Sequence, residues 1–120
     1  MAENEENLNK TVRPWGYFIN IAEGNNYLVK VIHINPNGKL SVQSHNHRSE
    51  HWYITKGLAK VLLDKKEYSL NKGDSIDIPV KAIHSIFNPS ENELELIEIQ
   101  TGDYLSEDDI IRYEDIYGRV

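Results

Sequence analysis

The sequence predicts an all-β domain folded as a jelly-roll barrel and followed by a short C-terminal helix. Short apolar runs recur along the 120 residues, and Gly, Pro, Asn and Asp clusters separate them. Such runs with turn signals between them predict roughly nine or ten short strands. Closure into a barrel removes the unpaired edges that these strands would otherwise expose.

Three strands are predicted in the first half of the chain. Residues 1–10 are acidic and lack apolar periodicity, which predicts a disordered tail before a single domain over residues 11–120. The strands are an alternating run that ends at Ile21, then Tyr27–Ile34, then Leu40–His45. In the last of these, Leu40 and Val42 share one face, and Gln43 and His45 share the other.

The second half continues the pattern of strands and turns. We expect His51–Thr55 and Leu58–Leu63 to pair with each other through a turn at Lys56 and Gly57. The further predicted strands are Tyr68–Leu70, Ser75–Ile78, His84–Asn88 and Leu94–Ile99. The last of these changes phase between Leu96 and Ile97, which indicates either a bulge or a strand buried on both faces.

The segment after residue 105 predicts a helix. Ser106 supplies a capping hydroxyl, and the three acidic residues after it suit the positive end of a helix dipole. Gly118 is a suitable stop. Apolar contacts would come from Ile110, Ile111, Tyr113 and Ile116.

Composition excludes several classes of protein. The net charge of −6 argues against nonspecific nucleic-acid binding, which requires a basic surface. With no cysteine, a thiolate zinc site is excluded, and a reducing compartment fits. No apolar run reaches the length of a membrane span, and no secretory signal is visible, so we expect a cytoplasmic protein.

The residues from Gln43 to Glu50 predict a metal site. Residues two apart in a strand project to the same side, so Gln43, His45 and His47 can point into one cavity. Imidazole nitrogens with a carboxylate and an amide oxygen suit a divalent ion, foremost Zn²⁺, with Mn²⁺, Co²⁺, Fe²⁺ or Ni²⁺ as alternatives.

The spacing around this stretch resembles the two-part signature of the cupin superfamily. Gly38 precedes it, and Glu50 is followed by six residues and then a glycine. The second part has matched spacing and departs from the family only at Lys81, where a glycine is preferred. Its matching residues are Gly73, Pro79, His84 and Asn88.

The register of the first motif has two solutions. Counting back four residues from Glu50 places His45 as the second member of the His-x-His pair and Gln43 as the first. The alternative pairs His45 with His47 but leaves one residue too few before the glutamate. We prefer the first, and the resemblance then implies Gln43, His45, Glu50 and His84 as the metal ligands.

A narrower resemblance extends over about residues 11–119. The chain resembles the type II mannose-6-phosphate isomerase domain, best known as the C-terminal part of bifunctional mannose-1-phosphate guanylyltransferases. The segments that carry the likeness are Arg13–Gly16, Gln43–Trp52, Thr101–Tyr104, Glu107–Ile110, Arg112–Asp115 and Tyr117–Arg119. Since the sequence has no Gly-rich phosphate loop, a nucleotidyltransferase activity would need a separate chain as partner. A homodimer is also expected from the superfamily.

The resemblance implies a metal-dependent isomerase that interconverts mannose 6-phosphate and fructose 6-phosphate. A bound ion would stabilise the enediolate oxygen. His47 is the first candidate for the general base, with His51 and Lys56 behind it. Arg112, supported by Arg119 and Lys56, would bind the phosphate. We expect the sugar to contact Trp52 and Tyr117.

Two other functions compete with the isomerase hypothesis. One is a non-catalytic cupin that binds a sugar or a sugar phosphate, because a fold does not fix a function. The other is a metal-dependent dioxygenase, which would need redox-active iron and which the Gln43 ligand disfavours.

Overall fold

The computed structural model describes residues 9–119 and contains two antiparallel sheets. Except for its last two residues, the tail predicted over residues 1–10 lies outside this range. Within the described range there are eleven strands: β1 Thr11–Arg13, β2 Gly16–Glu23, β3 Tyr27–Ile34, β4 Val42–Ser44, β5 Arg48–Lys56, β6 Leu58–Leu63, β7 Lys66–Asn71, β8 Ser75–Ile78, β9 His84–Phe87, β10 Leu94–Gly102 and β11 Ile111–Glu114.

The two sheets enclose one apolar core. The strand order is β1-β2-β3-β10-β5-β8 in the first sheet and β11-β4-β9-β6-β7 in the second. Trp52 and Leu96 from the first sheet and Val61 and Ile86 from the second are almost fully buried in this core. The prediction of an all-β jelly roll is therefore confirmed.

The predicted pairing of β5 with β6 is wrong. The two strands are adjacent in sequence but belong to different sheets, with β5 beside β10 and β8, and β6 beside β7 and β9. The chain crosses between sheets at Gly57, whose φ of 93° lies outside the range that other residues prefer. A Cβ added there would lie 2.8 Å from the Glu93 carbonyl oxygen.

Strand β10 keeps a regular alternation across the apparent change of phase. Its buried positions are Leu94, Leu96, Glu98 and Gln100, so the inward face continues but changes from apolar to polar side chains. A register shift relative to β5 does occur between Glu95 and Leu96. The pattern of apolar residues therefore marked the point at which the strand enters a polar cavity.

The predicted C-terminal helix is absent from the described residues. Residues 107–109 form a turn, and β11 pairs antiparallel with β4. The Asp109 carboxylate accepts hydrogen bonds from the backbone amides of Asn46 and His47, at 2.9 and 3.0 Å, and so caps another loop. The acidic cluster that suggested a helix start therefore contributes a long-range contact instead, through Asp109.

None of the residues in the range 9–119 forms a helix long and apolar enough to cross a membrane.

Candidate metal centre and its cavity

Three predicted ligands lie close together beside a cavity, and two of them, His45 and Glu50, line it. His45 follows β4, Glu50 lies on β5 and His84 begins β9, so the two sheets bring them together. The His45 Nε2 lies 3.2 Å from Glu50 Oε2, and the His84 Nε2 lies 3.9 Å from Glu50 Oε1. These three side chains place potential ligand atoms within 4.8 Å of one another.

Backbone carbonyls fix the tautomers of both histidines. The Nδ1–H of His45 donates to the Asp109 carbonyl at 2.7 Å, and that of His84 donates to the Ala82 carbonyl at 2.8 Å. Each Nε2 therefore presents a lone pair toward Glu50. The buried His84 Nε2 has no hydrogen-bond partner among the residues that the structure describes.

Burial keeps these imidazoles neutral. Burial is the larger cause and the positive charge of Arg48 the second, and together they lower the pKa of His45 to about 4. The pKa of His84 is also lowered, chiefly by burial. Neutral imidazoles with a lone pair on Nε2 are the form that binds metal ions.

Gln43 lies beside this group. It is the direct antiparallel partner of His84 in the β4–β9 ladder, it is buried, and it lines the same cavity. The position of its side chain on the cavity wall supports the register that pairs Gln43 with His45. An amide oxygen there would be a fourth, neutral ligand.

Glu50 is held by two other side chains of its own strand. Arg48 Nε donates to Glu50 Oε2 at 2.8 Å, and Trp52 Nε1 donates to Glu50 Oε1 at 2.9 Å. Arg48, Glu50 and Trp52 alternate along β5 with their side chains inward. Trp52 is thus a cavity-lining residue, as predicted, and it also orients a candidate ligand.

Glu98 is a second buried carboxylate that the sequence analysis missed. It accepts hydrogen bonds from Trp52 Nε1 at 3.1 Å and from Gln100 Nε2 at 2.8 Å. Burial is the larger cause and the neighbouring Glu50 the second, and together they raise the pKa of Glu98 to about 7. The polar inward positions of β10 were the signal that could have revealed it.

The cavity wall is rich in cationic groups. The cavity has a volume of about 70 Å³, which leaves room for an ion and a few water molecules. The wall has three carboxylates, Glu50, Glu98 and Glu107. Its five cations are Arg13, Lys30, Arg48, Arg112 and Arg119.

The cations differ in how far their charge is already neutralised. Arg119 donates twice to Asp115 from its guanidinium, at 2.7 and 3.1 Å, and Lys30 donates to Glu107 at 2.6 Å. The buried Nε of Arg112 has no hydrogen-bond partner within residues 9–119. Arg112 therefore keeps an unused donor at the cavity wall, whereas the guanidinium of Arg119 is bonded to Asp115.

Several predicted site residues lie elsewhere. Because β4 ends at Ser44, His47 follows a turn and contacts Tyr104 and Asp103 in an exposed position, away from the ligand face. His51 faces outward and bonds Asp77. Neither lines the cavity.

The remaining two predicted residues are also outside the cavity lining. Lys56 is exposed at the far end of β5. The Tyr117 hydroxyl accepts a hydrogen bond from the Lys39 amide at 3.2 Å, and its ring packs against the core. Their predicted roles as phosphate-binding and sugar-binding residues are not supported by this placement.

The donor set fits a divalent ion. The donors are the buried Nε2 of His84, which has no hydrogen-bond partner in the described part of the chain, the Nε2 lone pair of His45 and the Glu50 carboxylate. Zinc and the neighbouring divalent ions accept this combination of borderline and hard ligands.

The family and the fold are identified by comparison with known proteins. The family model described as "Mannose-6-phosphate isomerase C-terminal" matches residues 2–115. A cupin from Shewanella frigidimarina has the same fold, with a TM-score of 0.76 at 18% identity over 88% of this chain and 92% of that one.

Curated relatives are longer proteins. The chain is 43% identical to the alginate biosynthesis protein AlgA of Pseudomonas aeruginosa, over 95% of this chain and 24% of that protein. It is 47% identical to a mannose-1-phosphate guanylyltransferase of Escherichia coli, over 90% and 23%. The chain therefore spans about a quarter of the curated relatives that it matches.

The names of these relatives correct the predicted activity. They describe guanylyl transfer and polysaccharide biosynthesis, and not isomerisation of mannose 6-phosphate. The prediction that this chain is a mannose-6-phosphate isomerase is therefore wrong.

Proposed function

The chain belongs to the mannose-6-phosphate isomerase C-terminal family, and from this premise we propose that it is a metal-binding cupin domain that binds a sugar phosphate without isomerising it. One observation carries the proposal. Two neutral imidazole lone pairs and a carboxylate converge beside a cavity with a cationic wall, and His45 and Glu50 line that cavity.

The ion would be held by Gln43, His45, Glu50 and His84. Three of these ligands are neutral, so a dipositive ion would keep about one net positive charge, which attracts an anion. The ion would supply electrostatic binding of an anionic oxygen. Zn²⁺ is our first candidate, followed by Mn²⁺, Co²⁺, Fe²⁺ and Ni²⁺.

The anion would be a sugar phosphate. Arg112 offers a guanidinium whose buried Nε needs an acceptor, and a phosphate matches a guanidinium by paired hydrogen bonds. The Escherichia coli relative is named for mannose 1-phosphate, which makes this compound the first ligand to test. Guanylyl transfer would then reside in other residues of a longer protein or in a separate nucleotidyltransferase chain. A homodimer and a cytoplasmic location stay predictions from the sequence.

The test uses calorimetric titration of the chain after removal of metal with a chelator. We expect one Co²⁺ or Mn²⁺ ion per chain and mannose 1-phosphate binding that strengthens at least about tenfold once the ion is bound. Nuclear magnetic resonance should show the sugar phosphate unchanged after prolonged incubation.

Two variants make the test specific. His84→Ala should lose both metal and ligand binding, whereas His51→Ala, which alters an exposed outward-facing histidine, should keep both. A wild-type chain that binds no divalent ion, or a His84→Ala variant that binds as the wild type does, would refute the proposal.

A further inference from the structure

Arg48 occupies two of the atoms that a metal ion would use. Its Nε donates to Glu50 Oε2 at 2.8 Å, and its Nη2 lies 3.3 Å from His45 Nε2. Because His45 Nδ1–H donates to Asp109, the Nε2 is an acceptor, and Nη2–H is the donor in this contact. The buried guanidinium thus places a positive charge among the candidate ligands.

The contact with His45 cannot coexist with a metal ion on the same atom. A carboxylate has several lone pairs and can accept from Arg48 while binding an ion. A neutral imidazole nitrogen has only one, so the ion and Nη2–H compete for His45 Nε2. The two positive charges also repel each other across a buried site.

We infer that Arg48 is a displaceable cation. Its guanidinium stabilises the metal-free site through Glu50 and His45, and its hydrogen bond to His45 breaks when a divalent ion binds. The inference rests on the proposed function and deepens it. Metal binding leaves the buried Nη2–H of Arg48 without its acceptor. A buried donor that has lost its partner favours a new one.

An anionic ligand supplies that new acceptor, because Arg48 lines the cavity in which we place the sugar phosphate. Within residues 9–119, the Nη1 of Arg48 has one hydrogen-bond partner, the Ser106 carbonyl at 3.3 Å. Metal and anion should therefore bind with positive coupling through this one side chain. By linkage, each ligand must raise the affinity for the other by the same factor.

The decisive comparison is Arg48→Gln against Arg119→Gln. Both remove a guanidinium from the cavity wall, but Arg119 is bonded to Asp115 and contacts neither Glu50 nor His45 in the structure. Arg48→Gln should bind Co²⁺ about tenfold or more tightly than the wild type in a chelator competition assay. Arg119→Gln should stay within about twofold.

The second readout is the coupling. In the wild type, Co²⁺ should strengthen mannose 1-phosphate binding by a factor that falls about tenfold in Arg48→Gln and is retained in Arg119→Gln. Arg48→Lys keeps the charge without the planar fork, so its Co²⁺ affinity should lie between those of the wild type and Arg48→Gln. Circular dichroism checks that each variant is folded.

The outcomes separate the two hypotheses. If Arg48→Gln and Arg48→Lys bind Co²⁺ no more tightly than the wild type, Arg48 supports the ligands instead of competing with the ion, and this inference is overturned while the proposed function stands. If the wild type binds no divalent ion, both are overturned.

Discussion

Gln43 and His84 are direct cross-strand partners in the β4–β9 ladder, although forty residues of the chain separate them. This one backbone pair joins the two parts of the ligand motif. It places an amide side chain beside an imidazole whose Nε2 has no hydrogen-bond partner in the described part of the chain. The charge of the side chain at position 43 should therefore change the affinities of the site for the metal ion and for the sugar phosphate.

Gln43→Glu should bind metal more tightly and the sugar phosphate more weakly. A second carboxylate raises the attraction for the ion but cancels the positive charge that remains for the anion. We expect about a tenfold change in each affinity, in opposite directions, by calorimetric titration. Gln43→His keeps a neutral ligand and should retain both affinities. Equal effects of the two variants would contradict the charge argument.

The metal-free stability should depend on pH through two opposing groups. The pKa of His45 falls from 6.5 to about 4 on folding, so its contribution is present above pH 6.5 and is lost as the pH falls through about 4. The pKa of Glu98 rises from 4.5 to about 7, so its contribution is present below pH 4.5 and is lost as the pH rises through about 7.

Glu98→Gln removes only the second of these dependences. The free energy of unfolding of this variant, relative to the wild type, should therefore increase between pH 5 and pH 8 by roughly 2 kcal/mol. Urea unfolding at several pH values measures the difference. Glu91→Gln, at an exposed position, is the control and should show no such trend. A flat difference for Glu98→Gln would mean that the carboxyl titrates as it does in the unfolded chain.

Asp109→Ala should loosen the ligand loop. Its carboxylate accepts from two backbone amides next to His45, and its carbonyl fixes the His45 tautomer. Loss of the two charged hydrogen bonds should cost roughly 3 kcal/mol in the free energy of unfolding and about tenfold in metal affinity.

The matched control for that prediction is Asp108→Ala. Its side chain is exposed and bonds the Tyr104 hydroxyl at 2.6 Å, away from the ligands. Removing it should leave the free energy of unfolding almost unchanged. If both variants lose metal affinity alike, the loop is not held by Asp109 in particular.

Gly57→Ala and Gly73→Ala test the crossing between sheets. The two glycines have nearly equal φ values, 93° and 92°, but a Cβ at Gly57 would press on the Glu93 carbonyl, whereas a Cβ at Gly73 would meet open space. We expect a loss of roughly 3 kcal/mol at Gly57 and about 1 kcal/mol at Gly73, measured by urea unfolding. Equal losses would mean that backbone conformation alone sets the cost.

The sequence predicted the candidate metal ligands better than it predicted the side chains that contact them. His45, Glu50 and His84 were implied by the resemblance to the two-part cupin signature, and the structure brings their side chains together. The sequence analysis did not predict the contacts that Arg48, Glu98 and Asp109 make around these ligands. Inward polar side chains on a strand break the apolar alternation, so they look like irregularities until the cavity is seen.

Local signals also failed where tertiary pairing decided the structure. The residues after Ser106 have good helix-start chemistry, but β11 pairs with β4 and the Asp109 carboxylate caps the loop after β4. His47 seemed to share the ligand face because the predicted strand was longer than β4 is. The φ of 70° at Lys81 explains why related proteins prefer glycine at that point in the motif.

The position of β10 between β3 and β5 has a consequence for biogenesis. On the ribosome, β1 to β3 and β5 with β8 emerge as separate sheet fragments, which no hydrogen bond joins until β10 has been synthesised. Asp109, which fixes the tautomer of His45, emerges later still. The nascent chain thus contains the candidate ligands His45, Glu50 and His84 before Asp109 is made, so binding of an ion to the supported site would follow the synthesis of Asp109.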